Sequence, residues 1–369
     1  MNPIPVEKIA GMFDIRGRVV RCSPFGSGHI HDTYRVTTDA GSHYLLQRIN
    51  HEVFRDVAGL MQNIDRVSRH IRKKLAETQG HDPDRECLTL LPTNDGRSFL
   101  QDEDGRFWRM LLFIPDSVSY DRPDNPALLF EAGKGYGRFI RLVSDLPGER
   151  LNETIPAFHD MQNRLRNFFR TVQNDPAGRV QEVQSEIRWI DRRADEMQLL
   201  QRLGREGKIP ERITHNDTKL NNVLFDASGK TLCVVDLDTV MPGCVHFDFG
   251  DSIRTGASTA AEDEAHLDRI SINLEMYEAF ARGFLDQTRG ILTAREAETL
   301  AFSARMMTFI MGLRFMTDHL DGDRYFKIHH PNHNLRRARA QFRLVESMEA
   351  RRGEMETIID RLSDNLRSA

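Results

Sequence analysis

The chain has 369 residues, of which 39% are hydrophobic and 29% charged, and its formal net charge is -4. This length allows one large or two ordinary domains with ample core. The nearly balanced charge argues against a nucleic-acid or anionic-membrane partner, because both attract clustered Lys and Arg.

The expected location is the cytoplasm. The first residues lack the basic segment and apolar core that mark a secretory signal. The most apolar stretch, residues 306–316, is shorter than the ~20 residues a membrane span needs, and it contains Arg314. The 4 cysteines are widely separated and lack zinc-site spacings, so we expect reduced thiols and no zinc.

The N-terminal part begins with strands around a glycine-rich turn. Alternating and β-branched residues predict antiparallel strands at 19–22, 29–36 and 44–47. Gly26, Ser27 and Gly28 join the first two strands. Glycines here either serve hairpin geometry or let backbone amides lie over phosphates, and this segment alone leaves both interpretations open.

An amphipathic helix and two further strands complete this region. Apolar residues recur every three or four positions from 53 to 75, which predicts a helix packed on the strands. Strands are predicted at 87–91 and 107–113, giving a five-stranded sheet. The run then breaks at Ile114-Pro115, which predicts a hinge near residue 120. Phe113 and Ile114 could offer main-chain groups and apolar walls to an adenine ring.

The rest of the chain is mainly helical. Three-four periodicity predicts helices at 127–146, 155–172, 179–203, 262–284, 293–320 and 335–362.

One polar segment among these helices carries the residue types of a phosphoryl-transfer centre. In 214–222, His-x-Asp is followed by Asn five residues after the Asp. Asp217 suits the carboxylate that orients an attacking hydroxyl, while Asn222 and Asp236 suit hard oxygen ligands for Mg²⁺. Lys219 lies where a cation can meet the charge of the transferred group.

The surroundings of this segment support that interpretation. Residues 223–225 and 232–235 read as two short strands joined by a turn, which places Asn222 and Asp236 at the two roots of a hairpin. The alternative is a polar loop whose acids are merely capping or solvated.

These motifs extend into a resemblance that covers almost the whole chain. The carrying motifs are His-Asn-Asp-Thr-Lys-Leu-Asn-Asn (215–222), Asp-Leu-Asp-Thr-Val-Met-Pro-Gly (236–243), Phe-Asp-Phe-Gly-Asp-Ser-Ile-Arg (247–254), Gly-His-Ile-x-Asp-Thr-Tyr (28–34), Gly-Leu-Arg-Phe (312–315) and Gly-Asp-x-Tyr-Phe (322–326). The chain resembles the aminoglycoside-phosphotransferase and choline-kinase superfamily. Within it, the chain looks like the bacterial N-acetylhexosamine 1-kinases.

The resemblance implies an α+β fold of the two-lobed protein-kinase-like type, with a small lobe at 1–120 and a mostly helical lobe at 121–369. It implies transfer of the γ-phosphoryl group of ATP, with Mg²⁺, to the anomeric hydroxyl of GlcNAc or GalNAc. The expected partners are therefore ATP and a small sugar, with no nucleic acid or membrane. Whether the chain is a monomer or a homodimer stays open.

The resemblance also assigns roles to single residues. Asp217 accepts the proton, Asn222 and Asp236 hold Mg²⁺, Asp238 supports the metal site, Gly26, Ser27 and Gly28 cover the nucleotide, and His29 and Arg314 face the sugar. His215 is interpreted as structural, tying the loop to the end of the strand.

Two departures from related patterns concern charge and specificity. Gln47 stands where protein kinases carry a phosphate-binding lysine, so Arg48, Lys219 or the metal must supply more of the charge. Thr255 replaces an aromatic residue and Cys22 replaces a branched aliphatic residue of the sugar kinases. Both would make the acetamide contact less apolar, a change worth only ~1–3 kcal/mol in specificity.

Alternatives remain for both the residues and the function. Arg314 could simply pair with Asp318 four residues on. The acceptor could be another alcohol, such as an aminoglycoside, choline or homoserine, and residues 262–264 could line a cation site or only start a helix. A nucleotide-binding pseudoenzyme is the alternative outside catalysis.

Overall fold

The computed structural model describes residues 6–26 and 30–368. The chain forms two compact units, each built from three segments. The first unit contains Met1–Ser119, Leu142–Pro156 and Asn222–Pro242, and the second contains Tyr120–Arg141, Ala157–Asn221 and Gly243–Ala369. The first unit holds a β-sheet and the second is mainly helical, so the predicted α+β class is confirmed. The lobe division at residue 120 stays a prediction.

The first unit is organised around a six-stranded antiparallel sheet. Its strands are β1 (Val19–Pro24), β2 (Asp32–Thr38), β3 (His43–Ile49), β4 (Leu90–Leu91), β5 (Leu100–Gln101) and β6 (Phe107–Leu112). The strand order is β1-β2-β3-β6-β4, and β5 pairs with β6. The prediction of five strands missed β5, whose two residues are too few to show alternation. The strand predicted at 87–91 is reduced to its last two residues.

The two faces of this sheet differ in chemistry because successive side chains on a strand alternate. Tyr44 and Leu46 of β3 face α1 (Val6–Ala10) and join a hydrophobic cluster with Trp108. Gln47 lies on the other face, directly opposite Arg109 of the neighbouring strand. The sheet therefore has one apolar face and one face that carries polar and charged groups.

The predicted long helix of this unit is α2 (Val57–Ala76), and a short α3 (Pro83–Glu86) follows. α2 begins four residues later than predicted, because the Asp56 side chain caps it by accepting from Gly59 N at 2.9 Å. Its buried stripe, which includes Leu60, Ile64, Val67 and Ile71, matches the predicted periodicity.

The predicted hairpin after the central motif is present. It consists of β8 (Val223–Phe225) and β9 (Thr231–Val234), which pair antiparallel with Val223 opposite Val234. Two other short strands are β7 (Arg212–Thr214) and β10 (Met241–Gly243).

The second unit consists mainly of helices around α11. They are α4 (Pro126–Val143), α5 (Met161–Asn174), α6 (Gln184–Asp191), α7 (Leu199–Arg205), α8 (Val245–Gly256), α9 (Leu274–Gln287), α10 (Ala294–Glu298), α11 (Leu300–Leu320), α12 (His333–Ala350) and α13 (Arg352–Ser368). The single helix predicted at 179–203 was wrong, because 3-10 turns at Val180–Val183 and Glu196–Gln198 break it. The predicted helix at 262–284 starts only at Leu274, where Asn273 caps it.

Helix α8, which the sequence did not predict, packs very closely on α11. A Cβ added at Gly250 would lie 2.4 Å from the carbonyl oxygen of Ser303. Glycine is therefore required at this crossing, and α8 carries Asp248 and Asp251 on a rigid support. Across the described ranges, no helix is both long and apolar enough to span a bilayer.

Candidate active site

The loop after β7 holds the predicted catalytic residues in a tightly specified conformation. Asn216 has a positive φ of 65°, which is uncommon outside glycine. Its backbone N–H and that of His215 donate to the two carboxylate oxygens of Asp248 at 2.7 and 2.8 Å. The Asn216 side chain accepts from the Thr214 hydroxyl and donates to the Thr214 backbone carbonyl. Together these hydrogen bonds hold the backbone in a conformation that would otherwise be unfavourable.

Asp217 and Lys219 form an ion pair within this loop. The Lys219 Nζ lies 2.8 Å from Asp217 Oδ1, and the side chains are 46% and 22% exposed respectively. Burial acts to raise the pKa of Asp217, but the charge and hydrogen bond of Lys219 outweigh it and hold that pKa below its usual value. Asp217 therefore stays ionised at neutral pH and can accept a proton.

His215 has the structural position that the sequence indicated. Its ring is fully buried and makes edge contacts with Tyr136 and Phe139 at centroid distances of 5.6 and 5.8 Å. Its Nδ1 accepts from Asp217 N at 3.4 Å. The ring thus supports the loop from within the protein.

His159 also supports the loop, and sequence analysis missed it. Its Nε2 donates to the backbone carbonyl of Asn216 at 2.9 Å, and its ring packs between Phe158 and Phe247. Burial lowers the pKa of His159 to about 4, against the opposing effect of the Asn216 carbonyl. The ring is therefore neutral at physiological pH.

This neutral histidine predicts a measurable loss of stability in acid. The unfolded chain protonates His159 below about pH 6.5, whereas the folded chain resists until about pH 4, so stability is lost as the pH falls between these values. His159→Gln keeps a donor for Asn216 without titrating. Between pH 7 and pH 5, the free energy of unfolding measured in urea should fall by about 2 kcal/mol less in this variant than in wild type.

The control for this experiment is the exposed His266. Buried His246, whose pKa is also lowered to about 4 by burial, and Asp248, whose pKa burial raises to about 6, act in opposite directions on the same window. Both are present in wild type and variant, so the difference isolates His159. An equal acid loss in His159→Gln and His266→Gln would contradict the assignment.

In the first unit, Asn222 and Asp236 lie at the roots of the hairpin as predicted. The backbone N–H of Val235 donates to Asn222 O at 2.9 Å, which brings the two roots together. Asp236 has a positive φ of 61°. Among the described residues, no group of three or more His, Cys, Asp or Glu side chains is arranged to hold a metal. An amide and one carboxylate still fit Mg²⁺, because this ion usually takes one or two carboxylates plus substrate phosphates.

Asp238, which was predicted to support the metal site, is bound by side chains of the first unit. Its oxygens are bound by the guanidinium of Arg109 as a two-pronged pair and by His31 Nε2 at 2.5 Å. Burial acts to raise the pKa of Asp238, but Arg109 and His31 outweigh it and hold that pKa far below its usual value. These internal contacts occupy the Asp238 carboxylate, and the assignment of Mg²⁺ to Asn222 and Asp236 stays a prediction.

The predicted nucleotide-binding residues fall in three groups. Ser27, Gly28 and the sugar-facing His29 lie outside the described residues. Gly26 has a positive φ of 77°, as a glycine turn requires, and the ring of its neighbour Phe25 meets Phe113 at 5.7 Å.

The remaining nucleotide-binding candidates already have internal partners. Phe113 N donates to His43 O at 3.2 Å, and Ile114 O accepts from Ser117 Oγ at 2.8 Å. The Gln47 amide accepts from Arg109 Nε at 2.9 Å and donates to Thr33 Oγ1 at 3.1 Å. Its predicted contact with phosphate would require these bonds to exchange.

Arg314 lies within an aromatic cluster in the second unit, formed by Phe158, Tyr325 and Phe326. Its guanidinium carbon is 5.3, 5.8 and 5.4 Å from the three ring centroids respectively. The alternative pairing with Asp318 was wrong, because that carboxylate accepts instead from the backbone N–H groups of residues 324–326. Arg314 makes no ion pair with any carboxylate in the described part of the chain.

The two predicted specificity residues, Thr255 and Cys22, belong to the second and the first unit respectively. Thr255 Oγ1 bonds back to the Asp251 carbonyl within α8 at 3.0 Å. Cys22 lies opposite Val36 on the apolar, α1-facing side of the sheet, where burial raises the pKa of its thiol to about 11. Cys22 therefore faces away from Gln47, and its role in specificity stays a prediction.

The acidic run at 262–264, which could have lined a cation site, is used internally. Glu262 binds Arg254 at 2.7 Å, and Asp263 binds His333 and Arg336 at 3.2 and 3.1 Å. Glu264 accepts from the backbone N–H of His266 at 2.8 Å. These acids start no helix, because residues 262–266 are irregular.

A sequence model of the APH phosphotransferase enzyme family matches residues 21–284. The chain belongs to this family. The match spans both the glycine turn and the catalytic loop, so the predicted membership at superfamily level is confirmed. The narrower resemblance of this phosphotransferase family member to the N-acetylhexosamine 1-kinases stays a prediction.

Solved structures confirm the kinase-like fold of this family member. An aminoglycoside phosphotransferase from Alicyclobacillus acidocaldarius is 12% identical, with a TM-score of 0.57 over 100% of this chain and 98% of that one. An amicoumacin kinase solved with AMP-PNP, Ca²⁺ and Ami is 14% identical, with a TM-score of 0.59 over 95% and 94%. Choline kinase from Cryptosporidium parvum Iowa II is 12% identical, with a TM-score of 0.55 over 98% of each chain. Their differing acceptors show that the fold alone does not select a substrate.

Proposed function

We propose that this phosphotransferase family member transfers the γ-phosphoryl group of ATP to a hydroxyl of a small, uncharged sugar. The first candidates are the N-acetylhexosamines, phosphorylated at the anomeric hydroxyl. Family membership supports the reaction class, and the sequence motifs shared with the sugar 1-kinases support the acceptor. The proposal rests mainly on Asp217, an ionised carboxylate on a loop whose conformation is fixed by several hydrogen bonds.

The chemistry asked of this chain is mainly positioning and charge. The acceptor oxygen forms a bond to the γ-phosphorus as the bond from that phosphorus to the bridging oxygen breaks, and ADP leaves. Asp217 takes the proton of the acceptor hydroxyl. Lys219, whose pKa the Asp217 charge raises, stays cationic and can balance the transferred phosphoryl group.

Asn222 and Asp236 are the residues that would hold Mg²⁺, which supplies positive charge to the nucleotide phosphates when bound. Asp236 contributes the negative charge of this pair, and Asn222 contributes a neutral oxygen. Their positions at the two roots of one hairpin keep the donor set together without a long loop.

The charges near the catalytic loop favour an uncharged sugar over a cationic alcohol. Arg314 carries a positive charge over Phe158, and Arg164 donates to the carbonyl of that same residue at 2.7 Å. Burial and the charge of Arg314 lower the pKa of Arg164 to about 10, which leaves it protonated at pH 7. A choline-like or aminoglycoside cation would be repelled here, since the acids at 262–263 are already paired.

The Arg314 cluster is connected to the catalytic loop through direct contacts. The ring of Phe158 lies 4.4 Å from that of His159, which in turn binds the carbonyl of Asn216, the neighbour of Asp217. Arginine and aromatic rings are groups that bind the hydroxyls and apolar faces of sugars. We therefore include Arg314 in the acceptor site, together with His29 on the strength of the resemblance.

The test is Mg²⁺-dependent ADP release from ATP across a panel of acceptors. The panel contains GlcNAc, GalNAc, glucose, galactose, mannose, choline, homoserine and kanamycin, with ATP hydrolysis in the absence of acceptor as the blank. We expect release with the hexoses only, and phosphorus NMR should show a sugar 1-phosphate. A response confined to choline, homoserine or kanamycin would overturn the acceptor class and keep the reaction.

A second readout separates catalysis from simple nucleotide binding. Tight binding of ATP with no ADP release for any acceptor would favour the pseudoenzyme. Release with GlcNAc and GalNAc at the same efficiency as with glucose would show that the acetamide group is not recognised, which is the effect expected of Thr255.

A further inference from the structure

A partly buried row of polar side chains crosses the sheet of the first unit and ends on the buried Asp238. Thr33, Gln47 and Arg109 occupy neighbouring strands β2, β3 and β6 and face one another in register. The Gln47 amide bridges the other two side chains, and the Arg109 guanidinium continues to Asp238. The side chains of Arg109 and Asp238 are each only 3% exposed.

His31 completes this network from the other side of Asp238. The backbone N–H of Asn50 donates to His31 Nδ1 at 3.0 Å, so the ring proton must sit on Nε2 and point to Asp238. The ring also packs at 5.6 Å from Phe54, and its side chain is 8% exposed. His31 is thereby held in one tautomer and one orientation.

The network holds Asp238, and Asp236 lies close to it along the chain. Asp238 follows Asp236 by two residues, in the 3-10 turn Leu237–Thr239. On the far side of the turn, Asn63 of α2 donates to Val240 O at 3.0 Å. Asp236 itself adopts the left-handed conformation, with φ of 61° and ψ of 62°. A non-glycine residue stays in that conformation only when its surroundings enforce it.

We propose that Arg109 and His31 are positioning residues, which hold Asp238 so that the Asp236 carboxylate is presented to a divalent cation. The inference rests on the proposed function, because it assumes that Asp236 holds Mg²⁺ for a nucleotide. It also accounts for the missing lysine of the third strand. Arg109 on β6 is a buried cation among the described residues of this sheet, and it acts through Asp238 rather than on the nucleotide phosphates.

The alternative is that the network only stabilises the sheet. A purely structural ion pair would change the stability of the protein, whereas a positioning pair would also change how much Mg²⁺ is needed to bind a nucleotide. Outer partners of metal ligands characteristically change metal affinity by about 10- to 100-fold when they are removed.

The experiment measures binding of AMP-PNP by calorimetry over a series of Mg²⁺ concentrations, with circular dichroism to verify folding. The variants are Arg109→Lys, which keeps the charge but loses the fork, and His31→Leu, which loses the donor to Asp238. We expect the half-saturating Mg²⁺ concentration to rise roughly 10-fold in each. His31→Gln, whose amide can donate, should return it toward the wild-type value.

Arg72→Met is the matched control in the same unit. Arg72 of α2 donates to Pro83 O and binds Asp84, and its described contacts do not include residues 236–240. It should lower the thermal midpoint and leave the Mg²⁺ requirement unchanged. If Arg109→Lys does not fold, His31→Leu carries the test, because Arg109 still neutralises Asp238 there.

Three results would overturn the proposal. They are an unchanged Mg²⁺ requirement in folded Arg109→Lys and His31→Leu, an equal shift in Arg72→Met, and failure of His31→Gln to restore binding. Failure of the proposed function is read from the wild-type chain, which would then either release no ADP with any hexose or fail to bind AMP-PNP with Mg²⁺.

Discussion

Asp217→Asn is expected to reduce turnover with the best acceptor by about 10²- to 10⁴-fold, the usual contribution of a positioned general base. The amide preserves the size of the side chain but cannot take the proton of the acceptor hydroxyl. Steady-state ADP release measures the effect, and AMP-PNP binding should be unchanged because no nucleotide contact is assigned to Asp217.

The substitution also breaks the ion pair with Lys219, whose Nζ lies 2.8 Å from the Asp217 carboxylate in wild type. Asn at this position removes the negative partner of Lys219, whose side chain is 46% exposed and can be solvated, so the fold should survive. Asp195→Asn is the matched control, since the Asp195 side chain is 95% exposed and its carboxylate pairs with Arg202 among the described residues. Near-normal turnover in Asp217→Asn would refute its assignment as the base.

The parts of the site that the sequence predicted are those whose residues are close together along the chain. Asp217, Lys219 and Asn222 belong to one short motif, and Asp236 follows at the end of a hairpin whose strand residues alternate clearly. Local spacing, turn chemistry and strand periodicity were therefore enough to recognise them. The family membership follows from the same motifs.

The contacts that sequence analysis missed join residues that are far apart along the chain. His31 and Asp238 are separated by 207 residues, Arg109 and Asp238 by 129, and His159 and Asn216 by 57. No local pattern distinguishes His31, Arg109 or His159 from other polar residues on a strand or before a helix. Only the pairing of β2, β3 and β6 places Gln47 beside Arg109 and so reveals the network.

Helix boundaries failed for a related reason. The apolar residues of 179–203 recur with helical spacing, yet the chain turns at residues 192–195 to pack Trp189 and Leu200 into one core. Neither Gly nor Pro marks this break, so no local signal could place it. The tertiary packing around α11 decides where the helices end.

Asp248→Asn should separate loop geometry from stability. Asp248 is fully buried, and its two oxygens hold the backbone N–H groups of His215 and Asn216. Asn offers one oxygen, so one of these donors loses its partner, and the displaced loop should lower turnover by about 10²-fold. The matched control is Asp226→Asn, whose carboxylate accepts from Ser228 N and Lys230 N in a solvent-exposed turn.

Two opposing terms keep the stability of this variant close to that of wild type. An unsatisfied buried N–H costs about 1–3 kcal/mol. Burial raises the pKa of Asp248 to about 6 despite the opposing charge of His215, so its ionised form is itself unfavourable at pH 7.5 by up to about 3 kcal/mol, and the neutral amide relieves this. The free energy of unfolding, measured in urea at pH 7.5, should therefore change by less than about 2 kcal/mol.

The pH dependence of turnover gives a further check on Asp248. Wild-type turnover should fall as the pH drops through about 6, because protonated Asp248 loses one acceptor, and this fall should be absent in Asp248→Asn. Full turnover in the variant would show that the Asp248 carboxylate does not set the position of Asp217.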